Sequence, residues 1–517
     1  MSDRMKQFSE TLIGSSEDNI DQERRHLIKV TGTALAASMV MPLSLATELT
    51  VPYLDKVEEF SRSIRGKVIP KGLPNYEPWR RSMVWNYRTF DRHPDIIVQA
   101  DSDEDVIATV NFARKNKLKI KSRGGGHSWS GCYLRDSGIL LDLSRLQSVD
   151  IDAANQTVTI GAGVLGRALN ERLAEHGLVF PTAHCGMVPL SGFMMGGGLG
   201  VNFSGWGGMS TFSILAMDVV TPDGHLRHVN ASENPELFWA ARGGGPGLFF
   251  SVLRFKLKCY PLPTYIRTDT YILPYDELVP TVAMMDEMGP IIGNNTEMLT
   301  VVMPNPLNPD AANPIPGKGF DLVTVLGISA FVNTKEEASR KLDPIRNHPQ
   351  MNKAVFKQLD RHSTMEHLYQ DNEGPFPQRR ARADNIFTDR VVDATKVLSA
   401  HMLKAPTAGN SPVILYMGDQ KMSPKDACYS ATGRFYLAAY AQWDDAKDDL
   451  ANQQWLKNLY DEMLPFASGH YINEYDRETR GAETDRCYRQ QDWLRLKKLR
   501  AHYDPEGVYH GFLGEID

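Results

Sequence analysis

From Arg123 the chain reads Arg-Gly-Gly-Gly-His-Ser-Trp-Ser-Gly as far as Gly131. Cys185 follows His127 by 58 residues (185 − 127) and precedes a second glycine cluster, Gly196-Gly-Gly-Leu-Gly200. Glycine accepts positive φ at no steric cost and lets main-chain N–H groups come close to phosphate oxygens. Two such loops, so far apart in the chain, call for a fold that brings both to one ligand. Each loop also carries a nucleophile. A histidine among glycines is most often structural, and a lone cysteine is usually a small core hydrophobe, so neither decides anything alone. Together they suggest one flavin gripped from two sides, because imidazole and thiolate are the side chains here best able to attack an activated isoalloxazine ring.

With 517 residues the chain exceeds what one core can organise, and two or three domains are expected. Hydrophobic residues at 42% and charged residues at 23% are those of an ordinary soluble globular protein. A net charge of −6 argues against a general nucleic-acid or anionic-membrane binder. Neither a C-x-x-C pair nor H-E-x-x-H occurs, so no metal site is expected. The five cysteines (Cys132, Cys185, Cys259, Cys428, Cys487) are too few for a disulfide scaffold. With Cys185 used on a cofactor, four remain, enough for two bridges or none.

Residues 1–46 read as an address rather than as structure. Adjacent arginines in Glu23-Arg-Arg-His-Leu-Ile-Lys29 precede a weakly apolar run, Val30 to Ala46, and the pair resembles a twin-arginine export signal, with Glu23 where such signals usually carry Ser or Thr. A transmembrane helix is disfavoured because the run is only about 17 residues long and contains a proline and two threonines. Partnership with the twin-arginine machinery, delivery to the periplasm or medium, and no stable membrane span are the expectations. That route carries folded proteins, which suits a cofactor loaded in the cytoplasm.

Residues 47–90 are a mixed, proline-spaced arm. From Asp95 the text turns α/β: a strand at Ile96–Gln99, then a helix over Asp103–Asn116 with Ser102 as its N-cap and acids in its first turn. Leu118–Ser122 is a strand running into the glycine loop, and Ile139–Leu143 and Thr157–Gly161 continue the strands. Leu165–His176 is amphipathic, and Met217 to Val229 reads as a hairpin turning at Pro222-Asp-Gly224. Pro261-Leu-Pro263 marks a boundary. The division expected is a dinucleotide domain over 91–262, a substrate domain over 263–464, and a segment over 465–517. Strands at Met298–Met303 and Leu322–Ala330, a helix from Lys335 stopped by Pro344, and helices at Ala446–Met463 and Trp493–His502 follow.

The Rossmann fingerprint needs a strand, a glycine turn and a helix. Arg242-Gly-Gly-Gly-Pro-Gly247 fails that test, because the strand-like Phe249–Leu257 follows it, and no P-loop ending exists. The text instead resembles the p-cresol methylhydroxylase-type FAD domain and, within it, the berberine bridge enzyme-like oxidases. Residues 85–262 carry the likeness well and 465–512 in part. Arg123–Gly131 is similar to that family's R-S-G-G-H-S-x-x-G loop, with Gly124 for Ser. Gly161-Ala-Gly-Val-Leu-Gly166 through Pro181, and Glu236–Gly245 leading into Val252–Leu257, are also similar to it.

The resemblance implies an α+β fold: a two-part FAD-binding domain, a substrate domain with an antiparallel sheet flanked by helices, and a C-terminal segment returning to the FAD domain. It implies FAD attached doubly, through the 8α-methyl group to His127 and through C6 to Cys185. Arg123, Gly124, Gly125, Gly126, Ser128, Val188, Gly192, Gly196, Gly197, Gly198, Val252 and Asn473 are the further cofactor-binding candidates. Val188 falls where the family places a small valine in oxidases and a bulkier residue in dehydrogenases. Cys185-Gly-Met-Val-Pro-Leu-Ser-Gly192 departs from the usual C-P-T-V-G-x-G-G; Pro189 removes a backbone donor there.

Tyr471-Ile-Asn-Glu-Tyr-Asp476 resembles the family's C-terminal Y-x-N-Y motif, with Glu474 where the proton-accepting tyrosine is frequent. Glu474, Tyr471 and Tyr475 are therefore the catalytic candidates. A glutamate needs its pKa raised by burial to serve as a base, whereas a phenol needs its pKa lowered. In Arg434–Trp443, the alternate residues Tyr436, Ala438 and Tyr440 share one face of a possible strand; aromatic rows of this kind are more often core than pocket. The expected activity removes a hydride from a C–OH or C–N carbon of a small molecule, with O₂ as acceptor and peroxide as product. A dehydrogenase serving a quinone or periplasmic carrier, and a flavin-bearing protein without turnover, are the alternatives.

Overall fold

The computed structural model describes residues 51–316, 318–418 and 426–514, with backbone alone at 51–54. The export-signal reading therefore lies outside the described residues. Among the described residues no helix is long and apolar enough to cross a membrane.

The first sheet orders its strands β1-β2-β4-β3, from β1 (Lys67–Pro70), β2 (Ile96–Gln99), β3 (Ile120–Arg123) and β4 (Ile139–Asp142). β2, β4 and β3 are parallel and β1 is antiparallel. The stretch expected as an arm thus supplies an edge strand, and its helix Val51–Ser63 sends Val57 and Phe60 into the core. Helix Asp103–Asn116 forms as its text predicts. Ser102 Oγ accepts from the Asp105 N–H, and Lys117 closes the helix in the left-handed region. At the other edge, Ile120 of β3 bridges Tyr509 in parallel, so the last residues of the chain lie against this sheet.

The second sheet is antiparallel, in the order β5-β6-β10-β8-β9. It is built from β5 (Val149–Asp152), β6 (Thr157–Gly161), β8 (Ile214–Val220), β9 (Leu226–Asn230) and β10 (Ser251–Lys258), while β7 (Leu178–Val179) pairs with β11 (Tyr260–Pro261). One apolar core joins both sheets and takes in Ile472, Tyr475, Leu496, Leu499, Val508 and Phe512 from the C-terminal stretch.

The third sheet has seven antiparallel strands in the order β15-β12-β14-β13-β17-β18-β16. They are β12 (Tyr265–Pro274), β13 (Thr296–Pro304), β14 (Leu322–Val332), β15 (Phe356–His362), β16 (Arg380–Thr388), β17 (Ser411–Tyr416) and β18 (Phe435–Trp443). Side chains alternate across a sheet, and the two faces do different things. Met298, Ile414, Leu437 and Ala439 pack under helices Leu278–Ile292, Lys335–Arg346, Val391–Met402 and Asp449–Met463. Leu299, Val413, Leu415, Tyr436 and Tyr440 face the other way, onto a cavity. The register sets Leu299, Leu415 and Tyr436 side by side on three neighbouring strands.

The helix from Lys335 does not stop before Pro344 but runs to Arg346. Leu342 and Ile345 are fully buried before and beyond the proline, respectively. Arg346 holds Asp269 through Nε (2.7 Å) and Nη2 (2.8 Å), so tertiary anchoring offsets the one N–H that proline lacks.

Candidate functional site

One cavity of about 320 Å³ lies between the first two sheets, the seven-stranded sheet and the C-terminal stretch. Arg123, Gly124, Gly125, Gly126, His127 and Ser128 form one wall, and Cys185, Val188, Gly192 and Val252 line another; Tyr471, Asn473 and Glu474 also face it. Most of the candidates read from the sequence thus share one space.

The glycine loop continues β3, and its shape follows from close packing. Gly126 has φ +81°, where a side chain would also strike the Met83 carbonyl. A side chain at 124 would run into Ser191, and one at 125 would overlap the Pro189 ring. The two departures noted in the sequence therefore fit each other: Gly124 for serine faces Ser191, and Pro189 rests on Gly125. Arg123 lines the cavity but is committed to structure. Its Nη1 meets Asp142 Oδ1 at 2.6 Å and its Nε donates to the Met83 carbonyl at 2.9 Å, which pins the loop.

His127 stacks on Trp85 with ring centroids 4.4 Å apart. Burial lowers its pKa to about 4, so the imidazole is neutral at physiological pH. Its Nε2 is buried without a hydrogen-bond partner in the protein. A neutral, unpartnered ring nitrogen facing a cavity is what attachment to a flavin methyl group requires, and it would be a costly orphan otherwise. Cys185 presents its thiol to Glu373 Oε1 at 3.5 Å. Burial, then that carboxylate, raises the thiol to about 12. The residues present fit a flavin held from the His127 and Cys185 sides.

The C-terminal stretch brings Tyr471, Asn473 and Glu474 to the cavity. Asn385 on β16 clamps the Tyr471 backbone both ways, its Oδ1 accepting the N–H at 2.6 Å and its Nδ2 donating to the carbonyl at 3.0 Å. The Tyr471 hydroxyl accepts from the N–H groups of Gly198 and Leu199 (3.2 Å each) and from Asn473 Nδ2 (2.9 Å). Burial outweighs these donors and holds the phenol well above its ordinary range, so it stays protonated. Asn473 also donates to the Phe193 carbonyl at 2.9 Å. Gly196 lies against Asn473, leaving no room for a side chain. Gly196, Gly197 and Gly198 thus do not line the cavity; Gly196 supports Asn473 and Gly198 supports Tyr471 from behind, while Gly197 packs against Tyr429.

Glu474 is half-buried and meets two phenols at one oxygen: Tyr436 at 2.5 Å and Tyr440 at 2.7 Å donate to Oε2. The tyrosines sit four residues apart on β18, about 13 Å along a strand, and lean toward each other over the small Ala438. The row that its composition likened to core therefore belongs to the pocket. Burial raises the Glu474 pKa above the ordinary 4.5, while Tyr436, Tyr440, His184 and Trp129 oppose the rise. Tyr475 is not on the cavity. It is buried beside His470, and its hydroxyl donates to the Glu483 carbonyl at 3.3 Å, so it drops out as a proton acceptor for anything bound there.

Several residues on or just behind the cavity wall carried no sequence signal of their own. His184 pairs with Glu297 at 3.0 Å, and Glu297 also accepts the Asn202 N–H at 2.9 Å. Burial opposes charge on His184, yet Glu297 more than compensates and its pKa stands above the usual value. Trp129 and Phe376 pack on Tyr440, each with ring centroids 5.0 Å away. His184 adjoins Cys185 in the chain, a nearness that could have flagged it; Glu297, Glu373 and Phe376 offered no such cue.

Comparison with known proteins agrees with this geometry. Residues 94–230 match the FAD binding domain family. The chain is 28% identical over 461 residues to the FAD-linked oxidoreductase janO of Penicillium janthinellum, covering 84% of this chain and 94% of that one. It is 34% identical over 201 residues to the (R)-6-hydroxynicotine oxidase of Paenarthrobacter nicotinovorans, covering 39% and 43%. Among solved structures, the 6-hydroxy-D-nicotine oxidase of Arthrobacter nicotinovorans has a TM-score of 0.74 at 23% identity, covering 92% of this chain and all of that one. Berberine bridge enzyme in complex with (S)-reticuline has a TM-score of 0.74 at 19% identity, covering 91% and 100%. The protein is an FAD-dependent oxidoreductase. Its fold is that of the berberine bridge enzyme-like and p-cresol methylhydroxylase-type flavoenzymes.

Proposed function

We propose that the protein is an exported oxidase that removes a hydride from a carbon bearing a hydroxyl or amine and passes the electrons to O₂, giving hydrogen peroxide. The observation that carries this reading is Glu474, a half-buried carboxylate steadied by two phenols, facing the same cavity as His127 and Cys185. His127 and Cys185 hold FAD covalently, and bound FAD supplies the hydride acceptor. Glu474 takes the hydroxyl or amine proton as the hydride departs. Tyr436 and Tyr440 keep its charge in place, while Tyr471 stays protonated and, with Asn473, positions the cofactor. Trp129, Phe376, Leu299 and Leu415 exclude water around a small apolar or aromatic substrate. Arg24-Arg25 directs the loaded protein out of the cytoplasm, where a tethered cofactor is not lost.

The oxidase reading is tested by reducing the bound flavin with substrates from a screen of sugars, aromatic alcohols and cyclic amines, then mixing with air-saturated buffer in a stopped-flow instrument. Rapid reoxidation with stoichiometric peroxide is expected, slowed at least about tenfold in Val188→Ile, whose larger side chain fills space on the cavity wall. Slow reoxidation in air with fast reoxidation by a quinone would make the protein a dehydrogenase.

A further inference from the structure

Helix Met365–Glu373 ends against the loop that carries Cys185, and the contact is built from both sides. Arg167 bridges the two ends of that helix, its Nε donating to Glu366 Oε2 and its Nη2 to Glu373 Oε2, each at 2.8 Å. Its guanidinium carbon lies 5.4 Å from the centre of the Tyr369 ring. One Glu373 oxygen is thereby fixed. The other, Oε1, accepts the Gly186 N–H at 3.0 Å and faces Cys185 Sγ at 3.5 Å. The Glu373 side chain keeps 28% of its surface exposed, so a proton placed there can leave to solvent. Nothing else in the hydride-transfer scheme uses this carboxylate.

We infer that Glu373 is the general base for attachment of Cys185 to the flavin, taking the thiol proton as the carbon–sulfur bond forms. The inference rests on the covalent reading given above and adds a residue to it. A carboxylate at this distance disfavours a free thiolate, and burial does too. The proton must therefore leave in concert with attack, and Glu373 Oε1 is the acceptor in place. The thiol proton moves to Oε1, the Sγ–C6 bond forms, and the hydrogen on C6 leaves as a proton. The bonding pair supplied by sulfur leaves the ring richer by two electrons. Dioxygen takes those two electrons and two protons and departs as hydrogen peroxide, so thiol, oxidised flavin and O₂ give the thioether, oxidised flavin and H₂O₂. Arg167 is a positioning residue, holding Glu373 by its other oxygen.

The test follows thioether formation rather than turnover. Freshly purified full-length wild type, Glu373→Gln and Glu373→Asp are held in air at pH 6 to 9, and the fraction of Cys185 peptide carrying flavin is read by mass and by absorbance after digestion. At neutral pH, Glu373→Gln should bind flavin yet link at least about tenfold more slowly. Its linking rate should climb about tenfold per pH unit as hydroxide replaces the lost base, while the wild-type rate stays nearly flat. Glu373→Asp should be slower than wild type but keep the flat profile, which keeps the proposal open to refutation if the glutamine variant misfolds. Linking of Glu373→Gln at the wild-type rate and profile, or faster, would overturn the role of Glu373. Absence of any Cys185 thioether in wild type would overturn the cysteinyl link itself, and the two failures are distinct.

Discussion

Replacing Glu474 by glutamine keeps the side chain's length and removes its charge, so it isolates the base from the scaffold. In the folded protein two phenol bonds to a carboxylate, each worth about 1.5–3 kcal/mol, become neutral bonds of about 1 kcal/mol, while the cost of burying a charge disappears. These terms oppose each other. The fold should lose no more than about 1–2 kcal/mol, and flavin should load with nearly unchanged absorbance. The chemistry should suffer far more, because a positioned base contributes about 10²–10⁴-fold, or about 2.7–5.4 kcal/mol at about 1.36 kcal/mol per tenfold. The assay is the anaerobic rate of flavin bleaching by substrate against pH. Wild type needs Glu474 ionised, so its rate should fall as pH drops through a pKa raised above 4.5 by burial. In Tyr440→Phe one donor to the ionised form is gone, and the acid limb should move up by about one to two pH units. In Glu474→Gln that limb should vanish along with most of the rate. Bleaching of Glu474→Gln at the wild-type rate, with its acid limb in place, would refute the argument and return proton removal to Tyr471.

Two further outcomes are expected. After acid denaturation the flavin should stay with the protein pellet, and His127→Ala should retain it through Cys185 alone with lower activity; release of all flavin from that variant would remove the second link. Replacing Arg24 and Arg25 together by lysine should hold folded, flavin-loaded protein in the cytoplasm, and unchanged delivery outside it would dismiss the export reading.

What the sequence disclosed and what it hid divide along physical lines. Caps, turns and alternation are local, so the helix after Ser102, the β8–β9 hairpin and the glycine loop were all legible, and the His127 and Cys185 walls followed from spacing and resemblance. Distant pairings were not. Glu373 stands 188 residues from Cys185, and only the docking of helix Met365–Glu373 joins them. The apolar row on β18 reads the same whether it faces helices or a cavity; what decides is Glu474, delivered from another part of the chain. Tyr475 misled for a local reason: the turn over Ile472–Glu474 leaves Glu474 on the cavity and Tyr475 against His470 and the Glu483 carbonyl.

That division bears on how such a site can change its chemistry. The groups suited to attachment come from the loops around the first two sheets, where Gly124 against Ser191 and Pro189 against Gly125 leave little freedom to vary one residue alone. The groups suited to proton removal come from two other places, the C-terminal turn and β18, and meet through hydrogen bonds at Glu474 Oε2 and the edge contact of Tyr436 with Tyr471. Moving the acidic group along that turn, or exchanging a phenol on β18, would alter the proposed base without touching the loops that carry His127 and Cys185. A glutamate in a motif that resembles one ending in tyrosine is then an adjustment within the pocket: the carboxylate takes the charge, and the phenols of the facing sheet supply the hydrogen bonds that make its partial burial tolerable.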